Sequence, residues 1–211
     1  MARNLDPKCK QCRRERAKLY LKGERCNSSK CAMVKRNYIP GIHGIKQGKG
    51  ARLTGYGIQL REKQKAKRTY RILEDQFRKY FDKAIARTGD TGENLFKLLE
   101  SRLDNVVYKA GFAVSRDAAR QFIGHNHFLV NGKKVNIPSF QVHIKDKITI
   151  KPKSLGMEKF SSLTETLKNV QIPEWLSVDM KELIITVVDE ISLEKSNPGI
   201  DLKLIIEYYS R

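Results

Sequence analysis

At 211 residues, with 42 Lys and Arg against 23 Asp and Glu, the chain carries a formal net charge of +19. A hydrophobic content of 40% allows at least one real core, and the length suits one large or two small domains. No apolar run approaches the roughly 20 residues of a spanning helix. No secretory apolar stretch opens the sequence either, so a membrane protein and a disulfide-stapled extracellular module are both unexpected. The excess charge is uneven: residues 1–88 hold 25 Lys and Arg against 7 Asp and Glu, a net of +18. Residues 89–153 carry a net of +5 and residues 154–211 a net of −4. A generally basic protein would spread its cations, so this pattern points to a polyanion bound mainly by the first part.

All the cysteines lie near the start: Cys9, Cys12, Cys26 and Cys31, spaced C-x2-C-x13-C-x4-C. Four thiolates at two short spacings can close a tetrahedron around one zinc ion. Two disulfides or four idle thiols are the bland alternatives. With no ligand position left for water, the expected zinc is structural and not catalytic. Residues 1–40 are therefore read as a four-cysteine zinc module that depends on metal or ligand for order. Its candidate phosphate contacts are Arg3, Lys8, Arg13, Arg14, Lys22, Arg25, Lys30, Lys35 and Arg36.

Residues 41–57 hold six of the 14 glycines. The stretch reads equally as a flexible linker or as a basic strap whose backbone N–H groups approach phosphates. Its candidate contacts are His43, Lys46, Lys49, Arg52 and Tyr56. Gln59 to Arg87 is predicted as one long helix, with Tyr70, Leu73, Phe77, Phe81 and Ala84 as its apolar stripe. Arg61, Arg68, Arg71 and Lys79 fall on the far side, where a phosphate-facing surface is favoured over a solvated one. Lys63 joins them as a candidate. Gly89-Asp90-Thr91-Gly92 then marks a boundary, which closes a second region at 41–91.

From Glu93 the pattern becomes that of a compact mixed domain. One helix is predicted through Leu95, Leu98, Leu99, Leu103, Val106 and Val107, stopping near Gly111. A second starts at Ser115, an N-cap residue, with Ala118, Ala119, Phe122 and Ile123 turned inward. The short link Gly111-Phe112-Ala113-Val114 makes the pair a helix-turn-helix. Ser115, Arg116 and Arg120 lie where a phosphate gains from both side chains and helix N–H groups. His125 follows at a turn. Asn131-Gly132 between Phe128-Leu129-Val130 and Lys133-Lys134-Val135 is a hairpin signal, with Asn131 and Lys133 at its tip. Gln141 to Lys151 is expected to form a strand crossing a turn at Lys145-Asp146-Lys147. Residues 154–170 look helical, and Leu183–Val188 and Leu202–Ile206 are the best later strand candidates. The predicted class is α+β: an N-terminal zinc module and mainly helical part, then a third region, 92–211. This last region holds a helix-turn-helix-like module, at about 93–153, packed with an antiparallel β-sheet.

Several strings are specific. Pro40-Gly41-Ile42-His43-Gly44, Tyr56-Gly57 and Gln59-Leu60-Arg61-Glu62-Lys63-Gln64-Lys65 resemble the bacterial-type family of small-subunit ribosomal protein four. So do Thr91-Gly92-Glu93-Asn94-Leu95, Arg102-Leu103-Asp104-Asn105-Val106-Val107-Tyr108, Phe128 to Lys133, Pro173-Glu174-Trp175-Leu176 and Tyr208-Tyr209-Ser210-Arg211. The likeness spans essentially the whole chain: residues 93–153 resemble the small RNA-binding module named after the family, and the four cysteines resemble the family's zinc-carrying form. It implies a primary binder of small-subunit ribosomal RNA that clasps a multi-helix junction in the 5′ domain, nucleates assembly of the body and contributes to translational accuracy. The expected partners are that RNA, proteins five and twelve of the same subunit, and messenger RNA near where it enters. The expected place is a cytoplasmic ribosome, or an organellar one of bacterial descent. Two departures stand out. Asn126 occupies a turn position where the family commonly has Gly, which Asn tolerates by accepting a left-handed backbone. The stretch Asp189 to Gly199 also lacks the usual acidic-proline pattern.

Two other function classes compete. Arg102-Leu103-Asp104 resembles the Arg-Leu-Asp of pseudouridine synthases, which carry a similar RNA-binding module. Here it sits in an amphipathic helix, where Asp104 is expected to cap or pair locally, and no nucleophile–histidine pair or phosphate loop accompanies it. A zinc-dependent DNA-binding regulator would need a recognition helix and usually a dimer element, and no long heptad run exists. A non-enzymatic ribosomal role is the preferred expectation.

Overall fold

The computed structural model describes residues 4–42, 44, 53–157, 160, 163, 167, 170–193 and 199–210. The chain forms two compact units, Met1–Leu95 with Gly199–Arg211, and Phe96–Pro198. The cysteine module contributes three short helices, α1 (Lys8–Glu15), α2 (Glu24–Asn27) and α3 (Ala32–Lys35). α1 stops where Arg16 turns left-handed, φ 52. Cys12, Leu19 and Leu21 form a small core with Ala17 and Met33. Beyond it, Gly44 is tightly placed: a Cβ there would run into the carbonyl oxygen of Ile39. Only glycine fits.

The helix predicted over Gln59–Arg87 is in fact two, α4 (Gly55–Thr69) and α5 (Glu74–Ile85). α4 starts at Thr54, whose hydroxyl accepts from the Gly57 N–H at 3.2 Å. The break falls at Arg71, which takes a left-handed backbone, φ 57. Its buried guanidinium donates to Gln11 Oε1 at 3.0 Å and to the Asn4 carbonyl at 2.6 Å, tying the corner to the cysteine module. Tyr70, Phe77, Phe81 and Ala84 are buried as predicted. Leu73, the other member of that stripe, is instead the half-buried N-cap residue of α5.

Leu202–Ile206, expected as a strand, lies in a helix, α10 (Leu202–Tyr209). Asp201 caps it, its Oδ1 accepting from the N–H groups of Lys203 and Leu204 at 3.0 and 3.3 Å. Leu202, Leu204 and Ile206 imitate period two, but the helical pair Ile205 and Tyr209 carries the packing. Ile205 is fully buried, and the Tyr209 ring stacks on Phe81 at 4.5 Å and on Phe77 at 6.3 Å. α10 packs on α4. The segment from Gly199 onward, which the sequence places with the α+β region, thus belongs to the first unit.

In the second unit, the helix predicted from Leu95 to Gly111 divides into α6 (Thr91–Glu100), which begins in the first unit, and α7 (Leu103–Lys109). Arg102 is extended, φ −68 and ψ 135, and bridges to Gln141. The Leu103 N–H donates to the Phe140 carbonyl at 2.8 Å, a long-range bond that a continuous helix would forfeit. α8 (Arg116–Gly124) follows the expected turn. Gly111 has φ 83, and a Cβ on it would meet Leu167 at 3.0 Å. The Ser115 hydroxyl accepts from the Ala118 N–H at 3.3 Å, the predicted cap. Ala119 and Ile123 are fully buried, while Ala118 and Phe122 are half-buried.

Behind these helices lies a five-stranded antiparallel sheet, β1 (Phe128–Val130), β2 (Lys133–Lys134), β3 (Lys147–Ile150), β4 (Leu176–Asp179) and β5 (Ile184–Val187). Its order is β2-β1-β3-β5-β4. Val130 faces Ile148, and Ile148 faces Ile185, so alternate residues line one buried face. The Asn131-Gly132 hairpin forms with φ 49 and 76, as a type I′ turn requires. Asn126 does adopt the left-handed backbone, φ 59. A short helix, α9 (Pro152–Leu155), follows β3, and much of the helix expected over 154–170 lies outside the described residues. The α+β class is observed. Among the described residues, no helix is long and apolar enough to cross a membrane.

Candidate nucleic-acid interface

The four cysteines carry free thiols and line one small cavity of ≈ 20 Å³, with Leu21, Lys22, Arg25 and Met33 among its other walls. Room of that size admits about one water-sized occupant. The Lys22 N–H donates to Cys26 Sγ at 3.3 Å, a contact that stabilises a thiolate. Burial pushes the Cys12 thiol up, and its neighbours Cys26, Cys9 and Cys31 add to the rise. Among the described residues, no three His, Cys, Asp or Glu side chains stand at metal-holding spacing. The donor set fits zinc in softness and number.

Around that module, Arg14, Lys22, Arg25, Lys30, Lys35 and Arg36 are exposed, as is Tyr56 at the start of α4. Lys8 is half-buried. Arg13 lies 4.5 Å over the Tyr38 ring, and its Nε donates to the Tyr38 carbonyl at 2.9 Å. Such stacking restricts a guanidinium without neutralising it. Arg3, His43, Lys46, Lys49 and Arg52 lie outside the described residues.

Two candidates of this unit are interior residues instead. Arg71 forms the corner described above. Lys63 is buried and meets Glu74 at 2.5 Å, with its ammonium 4.7 Å above the Tyr208 ring. Glu74 also accepts from Lys67 at 3.0 Å and from the Tyr209 hydroxyl at 2.9 Å. Burial pushes its carboxyl up, but the bonds from Lys63, Lys67 and Tyr209 outweigh that and hold it below the usual range. Arg61 and Arg68 are half-buried, and both pair with the carboxylate of Glu15. Burial pulls the Arg61 guanidinium down while Glu15 opposes the shift.

The second unit holds a buried polar cluster beside the helix-turn-helix. Arg102, fully buried, donates from Nε and Nη2 to the two oxygens of Asp104 at 3.0 and 2.7 Å. Arg120 is also buried and stands 3.4 Å from Asp104, so it is an internal counterion and not a presented phosphate ligand. Asp104 does pair locally, as expected, and its 1% exposure denies it to an incoming base. Arg116 remains at the half-buried rim. Its Nε donates to Asn105 Oδ1 at 2.8 Å, and its guanidinium stacks 4.6 Å over Tyr108. Asn105 is in turn fixed by Glu100 at 2.9 Å. Ser115 is buried as the cap, and His125 is exposed. Exposed Asn131 stabilises its own turn through Asp146 and the Lys147 N–H, leaving Lys133 at the tip. Sequence reasoning missed Glu15, Tyr38, Glu74 and Asn105. The one available signal was the lone acid in Arg13-Arg14-Glu15-Arg16.

A basic helical unit joined to a helix-turn-helix on an antiparallel sheet defines a nucleic-acid-binding protein class. Residues 3–100 match the family described as ribosomal protein S4/S9 N-terminal domain, and residues 101–148 match the S4 domain. The small ribosomal subunit protein uS4A of Alkaliphilus metalliredigens is 52% identical over 211 residues, all of both chains. The small ribosomal subunit protein uS4 of Heliobacterium modesticaldum is also 52% identical, and that of Thermotoga maritima 50%, again over the full length of both chains. The chain belongs to the uS4 family of small ribosomal subunit proteins.

Proposed function

We propose that the chain is a structural, non-catalytic constituent of the small ribosomal subunit and binds its RNA. The observation that carries this reading is kinship along the entire chain, joined to a net of +18 in residues 1–88. That charge suits the counterion release that drives binding to an RNA backbone. The finer reading follows the family resemblance: a multi-helix junction of the 5′ domain as the RNA site, a part in nucleating the body and in accuracy, and proteins five and twelve as neighbours. One zinc ion, held by Cys9, Cys12, Cys26 and Cys31, would order the cysteine module. It would act as a structural crosslink, since four thiolates leave no open position. The shared cavity and the Lys22-to-Cys26 contact support this assignment.

The test is co-sedimentation with the small subunit in high salt, alongside competition between small-subunit ribosomal RNA and duplex DNA. Retention on the subunit and preference for the RNA are expected. Tighter binding to the duplex would overturn the reading.

A further inference from the structure

Glu15 is the last residue of α1, and its side chain is only 1% exposed. Its Oε1 accepts from the Nη1 of Arg61 at 3.2 Å and from the Nη1 of Arg68. Its Oε2 is buried with no partner among the described residues. An ion pair built for stability would use both oxygens in a bidentate fork. Here one oxygen serves two cations and the other serves none. The arrangement is a poor way to satisfy a carboxylate and an effective way to bring two like charges together.

Arg61 and Arg68 stand seven residues apart on α4, two helical turns, and so share a face. Their side chains are 25% and 23% exposed, covered enough to be restrained yet each keeping an open edge. Among the described residues, neither guanidinium makes a hydrogen bond except to Glu15. Each guanidinium has five N–H donors, so most remain for oxygen acceptors. Resting on the RNA-binding reading above, we propose that Glu15 is a positioning residue that gathers Arg61 and Arg68 into a two-pronged fork for one backbone phosphate of RNA. Two restrained arginines lose little side-chain entropy when the phosphate docks. The carboxylate offsets only one of the two charges, which leaves the fork cationic.

Glu15→Gln in the full chain separates three roles by sign. If the face acts only through its net charge, removing an acid tightens RNA binding. If Glu15 is only a structural tie, thermal stability falls while the folded protein binds small-subunit ribosomal RNA as before. Positioning requires weaker binding, by about tenfold, even though the net charge rises by one. That loss should vanish in an Arg61→Gln, Arg68→Gln background, as a double-mutant cycle demands. Glu15→Asp keeps the charge but shortens the reach, and should also weaken binding; it decides the matter if Glu15→Gln fails to fold. Unchanged or tighter binding by either folded variant, or an equal loss in the double-Gln background, overturns the proposal. Failure of the unaltered chain to bind the RNA would instead bring down the reading on which it rests.

Discussion

Asp104 compensates two buried guanidiniums, Arg102 and Arg120, at 2.7 and 3.4 Å. Removing one member of such a cluster leaves charge without a partner in a medium that solvates it poorly. Asp104→Asn should therefore destabilise the second unit by about 3–5 kcal/mol. Trp175, the chain's single tryptophan, lies buried in that unit and reports its urea unfolding directly. Arg120→Ala is expected to lower the same midpoint. Arg116→Ala leaves only the neutral Asn105 Oδ1 without its donor, so it should lower the midpoint less than Asp104→Asn and should also weaken RNA binding. The residue types were legible in the sequence, but their roles were not. Arg116 and Arg120 look equivalent on a helix drawn alone. What separates them is a carboxylate at Asp104 that the turn at Gly111 brings back against α8, a relation no local periodicity encodes.

At the scale of elements, α10 is joined to α4 and α5 by Glu74, Tyr209 and a bond from Gln59 to Glu207 at 2.7 Å. The lowered pKa of Glu74 fixes the sign of its pH dependence. Its contribution is fully present above the ordinary glutamate value of about 4.3 and is lost as pH falls through the lowered folded value. Melting of the first unit, followed against pH, should show an acid loss that Glu74→Gln flattens and Tyr209→Phe diminishes. Glu15 works in the opposite sense, because burial raises its pKa despite Arg61 and Arg68. Its contribution is greatest below the ordinary value and falls as pH rises.

The cysteine module offers a second test at this scale. Zinc binding at four-thiolate sites contributes about 10–16 kcal/mol of apparent energy that is coupled to folding. A chelator, or Cys9→Ser, should expose α1 to α3 to protease while the second unit stays resistant. Resistance of the whole chain under chelation would count against a structural metal. Elements with local signals were legible: the Ser115 cap, the Asn131-Gly132 hairpin and the aliphatic run of β5. The two divided helices share one cause. Arg71 breaks its helix through bonds to Asn4 and Gln11, and at Arg102 the break is held by the Leu103 N–H bonded to Phe140, partners that no helical window contains. Leu202–Ile206 is a short apolar run, where period two and period 3.6 cannot be told apart without the Asp201 cap.

For the molecule as a whole, the charge asymmetry was readable because charge simply adds along a sequence. Its expected consequence is a steep fall of RNA affinity with salt. Changing exposed Arg14, Arg25, Lys30 and Lys35 to Gln should reduce the log–log slope by about 0.7–0.9 for each phosphate that these residues neutralise. Changing Lys181 and Lys203, in the acidic part, should leave it almost untouched. Filter binding across a salt series distinguishes the two sets.

The division into units was less legible, since the first unit is assembled from two stretches separated by the whole of the second. That arrangement sets a timetable. A polypeptide emerges from synthesis in order, at about 5–20 residues per second. Phe96–Pro198 is contiguous and has all its own strands before α10 exists. The first unit, although most of it is made earlier, must wait with the α4 and α5 surface that Ile205 and Tyr209 will cover still open to water. The part of the chain richest in cations is thus the last to be completed. During that interval Phe77 and Phe81 lack the Tyr209 ring that stacks on them in the finished unit.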